Sequence, residues 1–240
     1  MMKVVQCWDD GVTTDVRLVE ILRKYGAKAT FNLNPGNHGE KRREACWVPQ
    51  PTPANIWSHQ GYRSGKLAIG ELPEIYKGFQ VASHCWQHET AGTIPDDEWI
   101  IKAYDARKYL EDLFQRPCLG FAWPNGKVTQ GAIDKLREKG FSYGRSTLTT
   151  YDVTDCEEPL ALASNCHFLQ RDFWTRYDKA KETGVFYFWG HSYEMMNYDE
   201  MWNYFEEKIK IITEDPDTEW ADVIDIVPML KCNKKTEENL

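Results

Sequence analysis

The chain lacks a long apolar run. Its longest is Val185-Phe186-Tyr187-Phe188-Trp189, far short of the ~20 residues a membrane helix needs. It is also short of cations: 29 Lys and Arg stand against 37 Asp and Glu, a net charge of −8 over 240 residues. A phosphate-backbone partner needs the opposite balance, so nucleic acid is not the expected ligand. The N-terminus reaches Asp9-Asp10 without the roughly 7–15-residue apolar core of a secretory signal, so a cytoplasmic location is expected. The seven cysteines are odd in number and never spaced Cys-Xaa2-Cys. A zinc ribbon, a thioredoxin-type motif and a disulfide framework therefore lack their signatures, and reduced structural thiols are expected. No Gly-Xaa-Gly-Xaa2-Gly follows the first strand. No Gly-Lys-Ser/Thr loop and no Gly-Xaa-Ser-Xaa-Gly elbow is present, which removes dinucleotide, P-loop and serine-hydrolase chemistry.

What is present suits a folded α/β protein. Hydrophobic residues make up 42% and charged residues 28%, enough for a sizeable core. No repeat interrupts the chain. Strands are expected at 3–8, 27–33, 79–83, 119–123, 141–144 and 185–189. Helices are expected at 15–25, 73–77, 96–114, 130–139 and 198–213, from apolar spacing and Gly or Pro stops. Segment 222–230 fits either type. Alternation of this kind implies parallel pairing through right-handed crossovers. Two stretches break the rhythm, 34–66 and 146–172, and read as irregular insertions. Loops of that length are usually functional.

Ligand-type residues repeatedly follow an apolar strand. Asp9 and Asp10 follow the first, His84 and His88 the third, Pro124-Asn125-Gly126 the fourth and His191 the run at 185–189. In a parallel fold these ends share one face, where active sites form. Adjacent carboxylates repel, so burying Asp9 beside Asp10 needs a cation or a shared proton. His84 and His88 would share a face if their segment were helical. Two imidazoles and one Asp would leave a zinc ion an open position for water. Cys85, between them, reads as a small buried residue. His191 is the candidate general acid, since imidazole changes charge near neutrality. His38, His59 and His167 read as ordinary loop residues. Trp47, Trp57, Trp86, Trp123 and Trp189 lie where a sugar face could stack.

Taken in order, these motifs resemble the polysaccharide deacetylase (NodB homology) family. Cys7-Trp8-Asp9-Asp10-Gly11 is similar to its first motif, commonly Thr-Phe-Asp-Asp-Gly, and Ala29-Thr30-Phe31-Asn32-Leu33 to the following strand. The stretch from Val81 to His88 resembles the metal-binding histidine motif. Phe121-Ala122-Trp123-Pro124-Asn125-Gly126 resembles the third motif, and Phe188-Trp189-Gly190-His191 the last. The resemblance spans about residues 3 to 191. It implies a distorted (β/α) barrel of seven parallel strands in a single domain, residues 1–240. It implies one divalent metal on Asp10, His84 and His88, zinc by ligand type with Co, Ni, Mn or Fe as alternatives. It further implies Asp9 as catalytic base, His191 as general acid and the Asn125 backbone N–H as an oxyanion donor. The expected activity is removal of an acetyl group from an N- or O-acetylated sugar, a small molecule or oligosaccharide. Two other readings are open: hydrolysis of a cyclic amide or ureide on the same scaffold, and a sugar-binding protein whose catalysis has lapsed.

Two positions depart from the family's pattern. The third-motif arginine, which normally pairs with the base, is Ala122, and the tyrosine there is Asn125. Asp9 must stay ionised beside Asp10, and Ala122 cannot help it. Arg145, just past the strand expected at 141–144, is the nominated substitute, whereas Arg17, Arg23 and Arg116 fall on a helix or at the opposite face.

Overall fold

The first expected strand runs over Met2–Asp9 (β1) in the computed structural model, which describes residues 1–47, 61–196 and 198–232. Val4 and Trp8 pack under helices, whereas Val5 and Cys7 join a separate cluster with Tyr143 and Tyr187. A parallel strand covered on both faces is apolar almost throughout, as β1 is. After α1 (Asp15–Lys24) come β2 (Thr30–Leu33) and a short antiparallel ribbon, β3 (Cys46–Trp47) with β4 (Tyr62–Arg63). Then follow α2 (Leu72–Ile75), β5 (Gln80–Ser83), α3 (Asp96–Phe114), β6 (Gly120–Ala122), α4 (Gln130–Glu138) and β7 (Tyr143–Thr149). The chain continues through β8 (Leu162–Ser164), β9 (Cys166–His167), α5 (Phe173–Thr183), β10 (Val185–Gly190), α6 (Asp199–Glu214) and β11 (Thr218–Trp220).

The main sheet runs β8-β7-β6-β5-β2-β1-β10-β9, with every pair parallel, and β11 lies beside the start of β1. Its two ends, β8 and β9, are separated in the chain only by Asn165. The Asn165 backbone N–H donates to the Tyr187 carbonyl at 2.7 Å, and its Oδ1 accepts from the Tyr187 N–H at 2.7 Å. Its Nδ2 donates to the Thr150 and Tyr151 carbonyls, both at 3.2 Å. One buried amide thus ties β10 to the loop after β7, and the sheet curls into a barrel. With β8 and β9 counted as one interrupted stave, the barrel has the seven expected.

Some expectations need correction. The strand expected at 141–144 starts at Tyr143 and runs on to Thr149, so Arg145 lies inside it. Segment 146–172 is irregular only in part: the end of β7, β8 and β9 are barrel wall, and the stretch between Thr149 and Leu162 is loop. A register shift between Arg145 and Thr149 breaks the alternation there, and β8 and β9 are too short to show a period of two. Segment 222–230 forms a 3-10 turn, Val223–Met229. The part of 34–66 that holds Trp57 and His59 lies outside the described residues. No disulfide joins any of the cysteines among the described residues, and no helix among them is long and apolar enough to cross a membrane.

Candidate active site

The barrel-facing row of β1 ends in Asp9. Side chains alternate along a strand, so Asp9 continues the row of Val5 and Cys7 and is buried. Asn32, on the same face of β2, donates its Nδ2 to Asp9 Oδ1 at 2.7 Å. Arg145 follows Tyr143 along the inner face of β7, and its Nη2 contacts Asp9 Oδ2 directly. Burial pushes the Asp9 carboxyl up, but the Arg145 guanidinium, with His84 and His191, brings it below its usual range. The guanidinium also stacks over the Trp189 ring, 4.6 Å from its centroid.

Asp10 escapes its neighbour through the backbone. Its φ of +84° ends the strand, and the two carboxylates diverge. Asn34 Nδ2 donates to Asp10 Oδ1 at 2.9 Å, and Lys66 Nζ lies 3.5 Å from the same oxygen. Burial raises this carboxyl and Lys66 lowers it, with help from the nearby imidazoles, to well below the ordinary value. Gly11 then turns the chain at φ +61°, where a Cβ would meet His38 Cε1 at 2.5 Å. Only glycine fits that turn.

His84 and His88 do meet, but not on a helix. The segment after β5 is a loop with left-handed residues at Cys85 (φ 63°) and His88 (φ 70°), which bring the two rings within 4.6 Å, edge to face. His84 Nδ1 lies 2.8 Å from the Ala122 carbonyl. A carbonyl can only accept, so the Nδ1 proton is fixed there and Nε2 is left with a free lone pair. Burial lowers the His84 pKa to about 4, which keeps the ring neutral. Ligand atoms of Asp10, His84 and His88 all lie within 4.8 Å of one another. Two imidazoles and one ionised carboxylate, with a backbone carbonyl fixing one ring, fit a divalent metal. Cys85 is buried, and burial holds its thiol well above the ordinary value.

His191 stands on the other side of Asp9, with Nε2 3.8 Å from Asp9 Oδ2. Its Nδ1 faces Glu194 Oε1 at 3.6 Å across a 3-10 turn, Ser192–Met195. Burial lowers the His191 pKa, but Glu194, then Asp9 and Asp10, push it up to about 9. Glu194 also accepts from His167 Nε2 at 2.8 Å and from the His191 backbone N–H at 3.0 Å. Sequence reasoning missed Glu194. The available signal was an acid three residues after His191, one turn away, but acids at that spacing are common. His167 was assigned to a loop, whereas it ends β9 beside Trp189.

Asn125 sits at the same rim, left-handed at φ +55°, with its Nδ2 on Thr90 Oγ1 at 2.7 Å. Of the tryptophans, Trp123 is buried in the outer core, and Trp189 is half-buried with Arg145 over one face of its ring. Trp47 is exposed. Arg17 pairs with Asp199, while Arg23 and Arg116 donate to carbonyls around Glu74–Phe79.

Comparison with known proteins bears on the family and the fold. The family model described as polysaccharide deacetylase matches residues 2–144. No curated protein sequence matches the chain. Among solved structures, the peptidoglycan deacetylase PdaC from Bacillus subtilis is 16% identical, with a TM-score of 0.55 over 99% of this chain and 93% of that one. A family 4 acetyl xylan esterase from Clostridium thermocellum, in complex with a cobalt ion, is 13% identical, with a TM-score of 0.53 over 93% and 89%. The Streptococcus pyogenes deacetylase PplD, in complex with acetate, is 19% identical; its TM-score is 0.46, and the match covers 60% of this chain but only 55% of that one.

Proposed function

The chain belongs to the polysaccharide deacetylase family, and from that premise we propose that it is a metal-dependent hydrolase that removes an acetyl group from an N- or O-acetylated sugar. The observation that carries this reading is one juxtaposition. A ligand set of Asp10, His84 and His88 sits beside Asp9, and an imidazole paired with a carboxylate lies on the other side of Asp9. A divalent metal held by Asp10, His84 and His88 would polarise the substrate carbonyl and make water acidic enough to attack at neutral pH. The cobalt ion in the acetyl xylan esterase structure is in keeping with such a metal; zinc suits the donors best.

The chain's own residues supply the proton traffic. Asp9, held ionised by Arg145 and aimed by Asn32, takes the proton from the attacking water. The Asn125 backbone N–H donates to the developing oxyanion. His191, protonated near neutrality because Glu194 faces its Nδ1, gives its proton to the leaving amine or alcohol. Arg145 also supports active catalysis over a lapsed binder, since the base has the cation that Ala122 does not provide. The test is acetate release by zinc-loaded protein from N-acetylglucosamine oligomers and acetylated xylan oligomers. Acetate should appear with one of them and stop on chelation. Ring opening of a cyclic ureide without acetate release from any sugar would overturn the reading.

A further inference from the structure

Glu194 has an imidazole on each side, and only one of them is the proton donor. Leu169 N–H donates to His167 Nδ1 at 3.3 Å. That nitrogen must therefore carry a lone pair, and the ring proton sits on Nε2. Nε2 is the atom 2.8 Å from Glu194 Oε2. The same oxygen accepts the His191 backbone N–H at 3.0 Å. Two donors thus pin Oε2, which leaves Oε1 turned toward His191 Nδ1 at 3.6 Å.

We propose that His167 is a positioning residue of the reaction: through Nε2–H it holds the Glu194 carboxylate in the one rotation that faces His191 and so keeps the proton donor aligned. The proposal rests on the deacetylase reading above. It extends the donating arm from a pair to a chain, His167–Glu194–His191, that crosses from β9 to the turn after β10. The groups facing His191 are Glu194 on its own turn, Asp9 from β1 with Asp10 beyond it, and the Tyr193 ring at 4.9 Å. The Trp189 ring also lies against it at 5.7 Å, and the polar contact that leads from His167 toward it runs through Glu194.

The three side chains also lie close enough to hold a cation, with ligand atoms within 4.8 Å. The tautomer argues against that use. A metal on His167 Nε2 would force the ring proton onto Nδ1, against the Leu169 N–H. His84 shows the opposite arrangement, with its proton on Nδ1 and Nε2 free. One rule thus separates the metal cluster from the proton-donating one.

The test uses full-length, zinc-loaded protein with His167→Phe, which keeps a ring but no donor, and His167→Gln, which restores an N–H near the Nε2 position. On an N-acetylated oligosaccharide, His167→Phe should lower kcat about tenfold with little change in KM, a fraction of the ~10²–10⁴-fold that a general acid supplies. His167→Gln should recover most of it. On an activated aryl acetate, whose leaving group needs no proton, both variants should match the parent. Equal loss on the two substrates, a change in KM alone, or no loss in His167→Phe would overturn the proposal. A second readout needs no turnover. Imidazole ¹⁵N NMR of the parent should show His167 as the Nε2–H tautomer; an Nδ1–H tautomer or an imidazolium would overturn the contact, whatever the fate of the deacetylase reading.

Discussion

Ala122 and Arg145 are register partners across β6 and β7. The small side chain leaves room on the inner face of β6. The long one, one strand over, spans that room to reach Asp9 on β1. An arginine that is absent from one strand is supplied by its neighbour at the same height in the barrel.

This relationship makes the position of the guanidinium exchangeable. Arg145→Ala should lower kcat/KM about 10²-fold, about 2.7 kcal/mol, because it strips a buried carboxylate of its charge partner; the same uncompensated charge should cost the fold about 3–5 kcal/mol. Its acidic limb should move to higher pH, since the Asp9 carboxyl rises toward and above its usual range. Moving the arginine across, as Ala122→Arg with Arg145→Ala, should recover at least tenfold of the loss. Lysine at 145 should recover less, because it lacks the fork geometry. Steady-state pH profiles of the three variants decide this.

Metal binding and proton abstraction should separate. Asp10→Ala, His84→Ala and His88→Ala should each lose most bound zinc in metal analysis, because each removes one of three protein ligands. Asp9→Asn should keep its zinc yet lose most turnover. Equal zinc loss in Asp9→Asn would reverse the roles of the two aspartates.

The His191–Glu194 pair should be visible in pH dependence. His191 is raised to about 9 from an ordinary 6.5. Its contribution to stability is therefore fully present below about pH 6.5 and is lost as pH rises through about 9. In metal-free protein, Glu194→Gln should lower the melting temperature at pH 7 and flatten its decline between pH 7 and 9. In the zinc-loaded enzyme the same substitution should shift the alkaline limb of kcat/KM to lower pH.

Asp15 predicts a slope of the same sign in a lower pH window. Burial lifts its carboxyl to about 6, although the Ser192 and Tyr76 hydroxyls donate to it. The folded state then holds this proton more tightly than the unfolded chain, so the group favours folding below about pH 4 and that advantage fades by pH 6. The change is worth about 3 kcal/mol. Asp15→Asn, which can accept only one of the two hydroxyls, should be the less stable protein at pH 4. The gap should narrow above pH 6. Denaturant titrations at pH 4, 5 and 7 would show a constant gap if Asp15 stayed ionised throughout.

The sequence by itself determined the strand–helix order and the face on which the chemistry collects. Those follow from local periodicity and from parallel pairing, which puts every strand's end on one rim. It also determined Asp9, Asp10, His84, His88 and His191 as candidates, because each directly follows an apolar run. Even Arg145 was legible, since the missing charge at Ala122 required a cation on a neighbouring strand. Only the tertiary structure decided what depends on contacts between distant segments. The meeting of His84 with His88 needs two left-handed residues in a loop, which no helical spacing encodes. Closure of the barrel depends on four hydrogen bonds of Asn165, set by where β10 and the Thr150–Tyr151 carbonyls lie. The side-chain pairing of Glu194 with His167, 27 positions apart, exists because β9 and β10 are parallel neighbours with His167 in register with Trp189. A short strand carries no readable period, so its partner, and the side chains it brings together, emerge only when the sheet closes.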